Sequence, residues 1–299
     1  MKITITGGTG FIGTYLTRFF IEKGHLVTTI GTRTRKIAIH PARYDHVLAD
    51  TRRSGRWQAS VAKADMVINL AGKSILKRWN KAYKKEIYDS RILTTRHLVA
   101  ALPREKPVVL FSASAVGYYG NRGDDIIIEN EGPSDDFLGR VCRDWENEAM
   151  VAEQNGHRVV RMRLGVVFGE DGGAFQQMAK VFRRFAGGPV GTGRQWFPWI
   201  HIQDVAGAIH HILGKADLDG AFNFCVPHPP RNRDVARAFG YALNRPAGLA
   251  APSFMLRLVL GEFAETLLAG QQAVPDRLIR SGFVFRFPEL DQALTDLVA

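Results

Sequence analysis

Cysteine is scarce. Cys142 and Cys225 are the only two in 299 residues, far apart and without the paired spacing of a metal site or a disulfide scaffold. A zinc centre and a disulfide framework are therefore not expected, and no metal is assigned. Both thiols read as small buried hydrophobes in a reducing compartment. Long apolar runs are missing too. The longest, Pro252 to Ala269, carries Arg257, Glu262 and Glu265, so it reads as an amphipathic helix and not as a membrane span. No signal peptide fits, because the first residues already form a strand and glycines interrupt any apolar core. Together these absences predict a cytoplasmic protein with no membrane partner. Internal repeats and low-complexity tracts are also lacking.

Acidic residues are outnumbered, 29 Asp and Glu against 40 Lys and Arg, for a net charge of +11. Such a balance invites a nucleic-acid reading, which would predict salt-sensitive binding. The cations are scattered, however: Arg52, Arg53 and Arg56; Lys77, Arg78, Lys81, Lys84 and Lys85; Arg183 and Arg184; Arg231 and Arg233. No nucleic-acid-binding motif accompanies them. Two readings remain, a solvated surface or a field that favours an anionic cofactor and substrate. A homo-oligomer is compatible with the sequence but not indicated by it.

What is present begins at the first residue. Lys2 to Thr6 alternates Ile with polar residues, and Gly7, Gly10 and Gly13 follow at GxxGxxG spacing. Behind them Phe11, Ile12, Tyr15, Leu16, Phe19 and Phe20 repeat at helical spacing. Strand, glycine turn and amphipathic helix make a dinucleotide-binding entry. Gly7 allows the tight turn, Gly10 lets backbone amides approach a pyrophosphate, and Gly13 lets helix and strand pack closely. The helix N-terminus then turns free N–H groups and its positive dipole end toward phosphate. Thr9, Phe11 and Ile12 complete this set; the alternative is a purely structural turn.

Strand-like and helix-like segments alternate through the first two hundred residues. Strands are predicted over His25–Ile30, His46–Ala49, Met66–Leu70, Val108–Ser112 and Arg158–Val167, with helices over Lys81–Leu102 and Phe137–Gln154. That order implies parallel βαβ units and a doubly wound α/β sheet, a Rossmann fold. It spans residues 1–169, with a return segment at about 200–226, where a helix over Ile200–Leu213 precedes a strand over Ala221–Val226. Asp204 is expected to cap that helix. Residues 170–199 and 227–299 read as a smaller C-terminal substrate lobe.

One absence is specific. A ribose 2′-hydroxyl calls for an acidic residue at the end of the second strand, yet that strand runs Thr28-Thr-Ile-Gly31 into Thr32-Arg33-Thr34-Arg35-Lys36. Cations there suit a 2′-phosphate, so NADP is expected over NAD, with Arg33 first and Arg35 second. Ordinary loop cations are the alternative. Asp50 is a candidate acceptor for the adenine amino group, or a surface-turn residue. Leu70, Ala71 and Gly72 end the fourth strand beside the nicotinamide ribose, and Gly72 suggests close approach of a ligand.

These residues resemble the extended short-chain dehydrogenase/reductase superfamily. Thr6-Gly-Gly-Thr-Gly-Phe-Ile-Gly13, Asn69-Leu-Ala-Gly72, Phe111-Ser-Ala-Ser-Ala-Val-Gly-Tyr-Tyr-Gly120, Arg163-Leu-Gly-Val-Val-Phe-Gly169 and His201-Ile-Gln-Asp204 occur in its order. More narrowly the chain is similar to the atypical "epimerase family protein" branch, the YfcH-like group also named as nucleoside-diphosphate-sugar epimerases. Gly187-Gly-Pro-Val-Gly-Thr-Gly-Arg-Gln195, Trp199-Ile-His-Ile202, Gly270-Gln271 and Gly282-Phe283 carry that match, which covers essentially the whole chain. The resemblance implies an NADP-type Rossmann domain with a C-terminal substrate lobe, and Arg163 is counted with the cofactor-binding residues.

The superfamily also uses a Tyr-x-x-x-Lys pair on the helix after the fifth strand, the Lys helping to lower the Tyr pKa for proton exchange. Here that helix reads Phe137-Leu-Gly-Arg-Val-Cys-Arg-Asp-Trp-Glu146. Neither Phe137 with Val141 nor Leu138 with Cys142 can do this chemistry. Losing such a group typically costs on the order of 10² to 10⁴ in rate. Ser114 matches the superfamily's catalytic Ser/Thr position, and Tyr118 or Tyr119 is placed to reach the reacting carbon; pocket-wall aromatics are the alternative. On the substrate side the aromatic run Gln195 to His201 marks the inter-lobe cleft, with Gln195, Trp199 and His201 as ligands or, alternatively, as packed core. The expected activity is an NADP-dependent oxidoreductase or epimerase-like enzyme on a small hydroxyl or carbonyl substrate, sugar derivatives included. The rival is a catalytically retired NADP-binding sensor.

Overall fold

The computed structural model describes residues 1–34 and 41–298. The opening strand β1 (Lys2–Thr6) buries Ile3 and Ile5 on one face and Thr4 and Thr6 on the other, as its two-residue period requires. After it come α1 (Phe11–Glu22), β2 (Leu26–Gly31), β3 (Tyr44–Leu48), the short α2 (Gln58–Ala62), β4 (Met66–Asn69), α3 (Lys81–Val99) and β5 (Val109–Ala115). Next are β6 (Ile126–Ile127), α4 (Phe137–Met150), β7 (Arg158–Leu164), β8 (Val166–Gly169), α5 (Gly173–Arg183), β9 (Trp199–His201), α6 (Ile202–Leu213) and β10 (Gly220–Phe224). The tail holds α7 (Asn232–Ala242), α8 (Ser253–Leu260), α9 (Phe263–Leu268), β11 (Gln272–Ala273), α10 (Asp276–Arg280) and α11 (Leu290–Val298).

Seven strands form one sheet in the order β10-β7-β5-β4-β1-β2-β3, parallel at every pairing. This is the doubly wound Rossmann arrangement. The strand order reverses between β1 and β4, and in such sheets the crevice outside the carboxyl ends at the reversal is where ligands bind. Ile3, Ile5, Leu16, Phe20, Ile68, Phe111 and Val160 build the core on one side of the sheet, joined by Val205, Ile209 and Ile212 of α6. A second core, of Phe168, Phe175, Phe182, Trp199, Val235, Phe239 and Leu294, sits under α5, α7 and α11.

Several predicted boundaries shift for identifiable reasons. The strand expected over Arg158–Val167 ends at Leu164, and Val166–Gly169 leaves the sheet to pair with β9. Gly165 makes the break: a Cβ there would lie 2.8 Å from Pro198 O. The helix expected over Pro252–Ala269 is two helices, α8 and α9, separated at Gly261, whose φ of +60° favours glycine. Asp204 is not the cap of α6. His201 is, its Nδ1 accepting from Gln203 N at 3.3 Å. The buried Asp204 carboxylate instead accepts from Arg286 N (2.7 Å) and Phe287 N (3.0 Å), fastening the C-terminal tail to the sheet core.

Candidate functional site

The glycine turn after β1 is tight in the literal sense. Gly7 has φ +68°, and a Cβ on it would lie 2.9 Å from Leu70 C, so the backbone just after β4 passes directly over the turn. A Cβ on Gly13 would lie 2.4 Å from Gly7 O, which lets α1 start against the strand. Gly8 was not singled out from spacing, yet a Cβ there would fall 2.4 Å from Thr29 Cγ2. The first α-helical bond is Thr14 N to Gly10 O at 2.8 Å. The N–H groups of Phe11, Ile12 and Gly13 precede it, with no side-chain cap and no acidic residue in the first turn. An uncapped helix N-terminus behind a glycine cradle suits a pyrophosphate. The Phe11 ring fills the space beside Gly169, Gly172 and Gly173 and so holds this helix start to the loop after β8.

At the end of β2 a Cβ on Gly31 would meet Thr9 Oγ1 at 3.0 Å, so the strand and the turn close on each other. Arg33 beyond it is exposed and has no ion-pair partner among the described residues. Arg35 lies outside the described residues. Asp50 follows β3, next to Ala49, whose N–H reaches Gly31 O at 2.9 Å. Arg52 covers both Asp50 oxygens, Nε at 2.9 Å and Nη2 at 2.6 Å, and these hydrogen bonds lower the carboxyl's pKa. The Asp50 carboxylate is therefore neutralised by a cation, which offsets a charge that would repel a 2′-phosphate.

On the other side of the reversal Asn69 is fully buried and ties three elements. It accepts from Thr6 Oγ1 at 2.7 Å and donates to Thr95 Oγ1 at 2.8 Å and Ser112 Oγ at 3.3 Å. Leu70, Ala71 and Gly72 then pass over the glycine turn. At Gly72 a side chain of α3 comes close: a Cβ would sit 3.0 Å from Arg91 Cζ.

The expected acid–base residues are placed differently from their sequence assignment. Ser114 is 2% exposed and donates to Glu146 Oε1 at 2.7 Å. Tyr119 is fully buried; it donates to Asn223 Oδ1 at 2.7 Å and accepts from Arg163 Nη1 at 2.8 Å. Burial pushes its phenol well up, so it is neither a base nor open to a substrate. Arg163, assigned to the cofactor, is 3% exposed, with Nε and Nη2 on Glu146 (2.8 and 2.9 Å) and Nη1 also on Glu129 O (2.9 Å). Each of its three nitrogens donates internally, so its role is in the core. Tyr118 is the most open of these side chains, its ring lying 3.7 Å under the Arg163 guanidinium. Burial raises its phenol as well, and it stays protonated at neutral pH.

The face of α4 that would carry Tyr and Lys is apolar. Leu138 lies 3.7 Å from a Cβ built on Gly117, at the turn after β5. Cys142 is buried, and burial raises its thiol to about 11. Phe137 and Val141 join Trp79 and Phe263 in a cluster beneath α9. Arg91 approaches the same helix from α3, its guanidinium 5.1 Å from the Trp145 ring.

Of the substrate candidates, Gln195 is partly buried and donates to Val190 O and Leu267 O, each at 3.0 Å, which binds its loop to α9. Trp199 and His201 are each 1% exposed. Trp199 stacks on Phe168 at 5.4 Å, and the His201 ring lies 4.1 Å from that of Phe287. Neither has surface to offer a substrate, so the aromatic run is packed core at these two positions. Glu146 and Arg91 were missed. Their signal was available: each is a charged residue on the buried stripe of a helix, Arg91 between Ile87 and Thr95, Glu146 between Cys142 and Ala149.

The cradle, the uncapped helix start and the cationic β2 end fit a dinucleotide. Comparison with known proteins agrees. An Arabidopsis thaliana protein, "Epimerase family protein SDR39U1 homolog, chloroplastic", is 39% identical over 98% of this chain and 86% of its own. Bacillus subtilis "Epimerase family protein YfhF" is 36% identical over 100% and 98%. The crystal structure of human epimerase family protein SDR39U1 (isoform 2) with NADPH superposes with a TM-score of 0.86 at 34% identity, covering 100% of this chain and 99% of that one. Residues 251–297 match a domain of unknown function, DUF1731. Residues 3–225 match the NAD dependent epimerase/dehydratase family, and the chain belongs to it, as an atypical extended short-chain dehydrogenase/reductase.

Proposed function

We propose that the chain binds NADPH across the carboxyl ends of β2, β1 and β4 and acts with it as an oxidoreductase or epimerase-like enzyme on a small hydroxyl or carbonyl compound. One observation carries this reading. The phosphate cradle at Gly7–Gly13 stands next to Arg33, which has no ion-pair partner among the described residues, while the neighbouring carboxylate, Asp50, is neutralised by Arg52. The NADPH bound by the human relative supports it. The N–H groups at the start of α1 hold the pyrophosphate, Arg33 takes the 2′-phosphate, and Asn69 keeps β1, β4 and β5 in register beneath them. Bound NADPH supplies a hydride. With Ser114 and Tyr119 committed inward, Tyr118 is the hydroxyl left to exchange a proton, and at neutral pH it holds one to give.

The test is a titration of NADPH and NADH into wild type and Arg33→Ala, followed by a panel of carbonyl compounds and nucleotide sugars. Expected are tighter binding of NADPH than NADH, about tenfold weaker NADPH binding in the variant, and turnover that falls in Tyr118→Phe. Failure of wild type to bind either nucleotide rules the proposal out.

A second reading is favoured by the Leu138 and Cys142 face of α4 and by the inward turn of Ser114 and Tyr119. It makes the protein an NADPH-binding sensor without turnover. Binding of NADPH with no consumption across the panel, and a partner whose affinity follows the cofactor's redox state, would select it.

A further inference from the structure

Where α4 would bring a lysine it brings Val141 or Cys142, and a cation comes up beside Cys142 from α3. The Arg91 guanidinium lies flat against Gly72, with Cζ, Nη2 and Nη1 at 3.0, 3.2 and 3.3 Å from where a Cβ would be. Nη1 donates to Lys73 O at 3.0 Å and Ile87 O at 3.1 Å, and neighbouring Ser90 Oγ accepts from Lys73 N at 2.9 Å. Two hydrogen bonds thus hold the Arg91 guanidinium at the end of β4. Its Nε and Nη2 have no hydrogen-bond acceptor, and its charge meets no carboxylate, among the described residues. Burial lowers its pKa from the ordinary value, as expected of a cation short of partners. Neither Nε nor Nη2 is among the fully buried orphan groups, so both are open to an incoming acceptor.

The path of the cofactor supplies one. If the pyrophosphate sits on the Gly7–Gly13 turn and the adenosine half turns toward Arg33 on the β2 side, the other half must cross the reversal. It then runs over the ends of β4 and β5, past Gly72. We propose that Arg91 serves the cofactor from α3, its free Nε–H and Nη2–H groups holding the ribose hydroxyls on the nicotinamide side of NADPH. Gly72 is glycine so that the guanidinium can lie there. This assignment rests on the NADPH reading above and adds a residue from a different helix to the site.

The experiment compares two ligands. NADPH spans both halves of the cleft, whereas adenosine 2′,5′-bisphosphate keeps the 2′-phosphate and lacks the nicotinamide riboside. Both are titrated by calorimetry into wild type, Arg91→Gln and Arg91→Lys. Expected is about tenfold weaker NADPH binding in Arg91→Gln, a smaller loss in Arg91→Lys, and unchanged affinity for the bisphosphate in both. Equal losses for the two ligands, or no loss for either, overturn the role given to Arg91. Wild type that binds neither overturns the cofactor reading itself, a separate result. If Arg91→Gln does not fold, Arg91→Lys decides: loss confined to NADPH supports the assignment, and loss of both or neither overturns it.

Discussion

Arg163 grips Glu146 by two parallel hydrogen bonds, Nε to Oε1 at 2.8 Å and Nη2 to Oε2 at 2.9 Å, with both side chains 3% exposed. Ser114 donates to the same Oε1, and Arg161 approaches Oε2 at 3.4 Å. The pair joins β7 to α4 and draws the end of β5 into the same network. It explains why Ser114 faces the interior and not the cleft.

Removing one partner of a buried pair leaves the other charge uncompensated, which typically costs about 3–5 kcal/mol. Glu146→Ala is therefore expected to lower unfolding stability by that order in urea melts. Arg163→Met should cost less, because Arg161 still faces the carboxylate.

Tyr119 and Tyr118 separate structure from chemistry. Tyr119→Phe deprives Asn223 Oδ1 of its donor and Arg163 Nη1 of one acceptor, at an expected cost of about 1–3 kcal/mol. Turnover per folded molecule should stay unchanged. Tyr118→Phe should do the reverse, leaving the unfolding midpoint near wild type and lowering turnover. Denaturant melts and steady-state rates on both variants check this.

His201 predicts a pH dependence. Burial outweighs the attraction of Asp296 Oδ2, 3.4 Å from Nε2, and lowers the imidazole pKa to about 4, with Arg286 adding to the shift. The folded ring holds its proton less tightly than the unfolded one, so acid favours unfolding. Its contribution is present above about pH 6.5 and is lost as pH falls toward 4. The loss amounts to about 3 kcal/mol at most. His201→Phe should flatten the stability profile in that window relative to wild type.

Gly13 and Gly72 should answer differently to alanine. At Gly13 the new methyl meets backbone, Gly7 O at 2.4 Å and Gly8 Cα at 2.6 Å. Destabilisation of about 1–3 kcal/mol and loss of NADPH binding are expected. At Gly72 it meets the far end of Arg91, which can swing aside. Stability should change by less than about 1 kcal/mol, while NADPH binding weakens. Thermal melts and cofactor titrations on the two variants make the comparison.

Local patterns were legible before the fold was known. Lys2–Thr6, the glycines at 7, 10 and 13, and the apolar stripe behind them specify strand, turn and helix through contacts only a few residues apart. The alternation that followed was enough for a parallel, doubly wound sheet. Boundaries failed where a distant neighbour intervened: Gly165 breaks a strand because Pro198 passes behind it, and Gly261 splits an amphipathic stretch that periodicity alone made continuous.

Side-chain roles were settled only by tertiary contacts. Ser114, Tyr119 and Arg163 looked like site residues because motifs bring them near the ends of the strands. Ser114 and Tyr119 find hydrogen-bond partners 32 and 104 residues away, in Glu146 and Asn223, and Arg163 finds its own 17 and 34 residues away, in Glu146 and Glu129. A hydroxyl or guanidinium has the same chemistry wherever it occurs in a chain, and only the acceptor brought to it by folding decides whether it faces a ligand or the core. By itself the sequence determined the sheet, the glycine cradle and the cationic β2 end. Packing of α4 and α3 against the strand ends decided which polar groups remain free to use them.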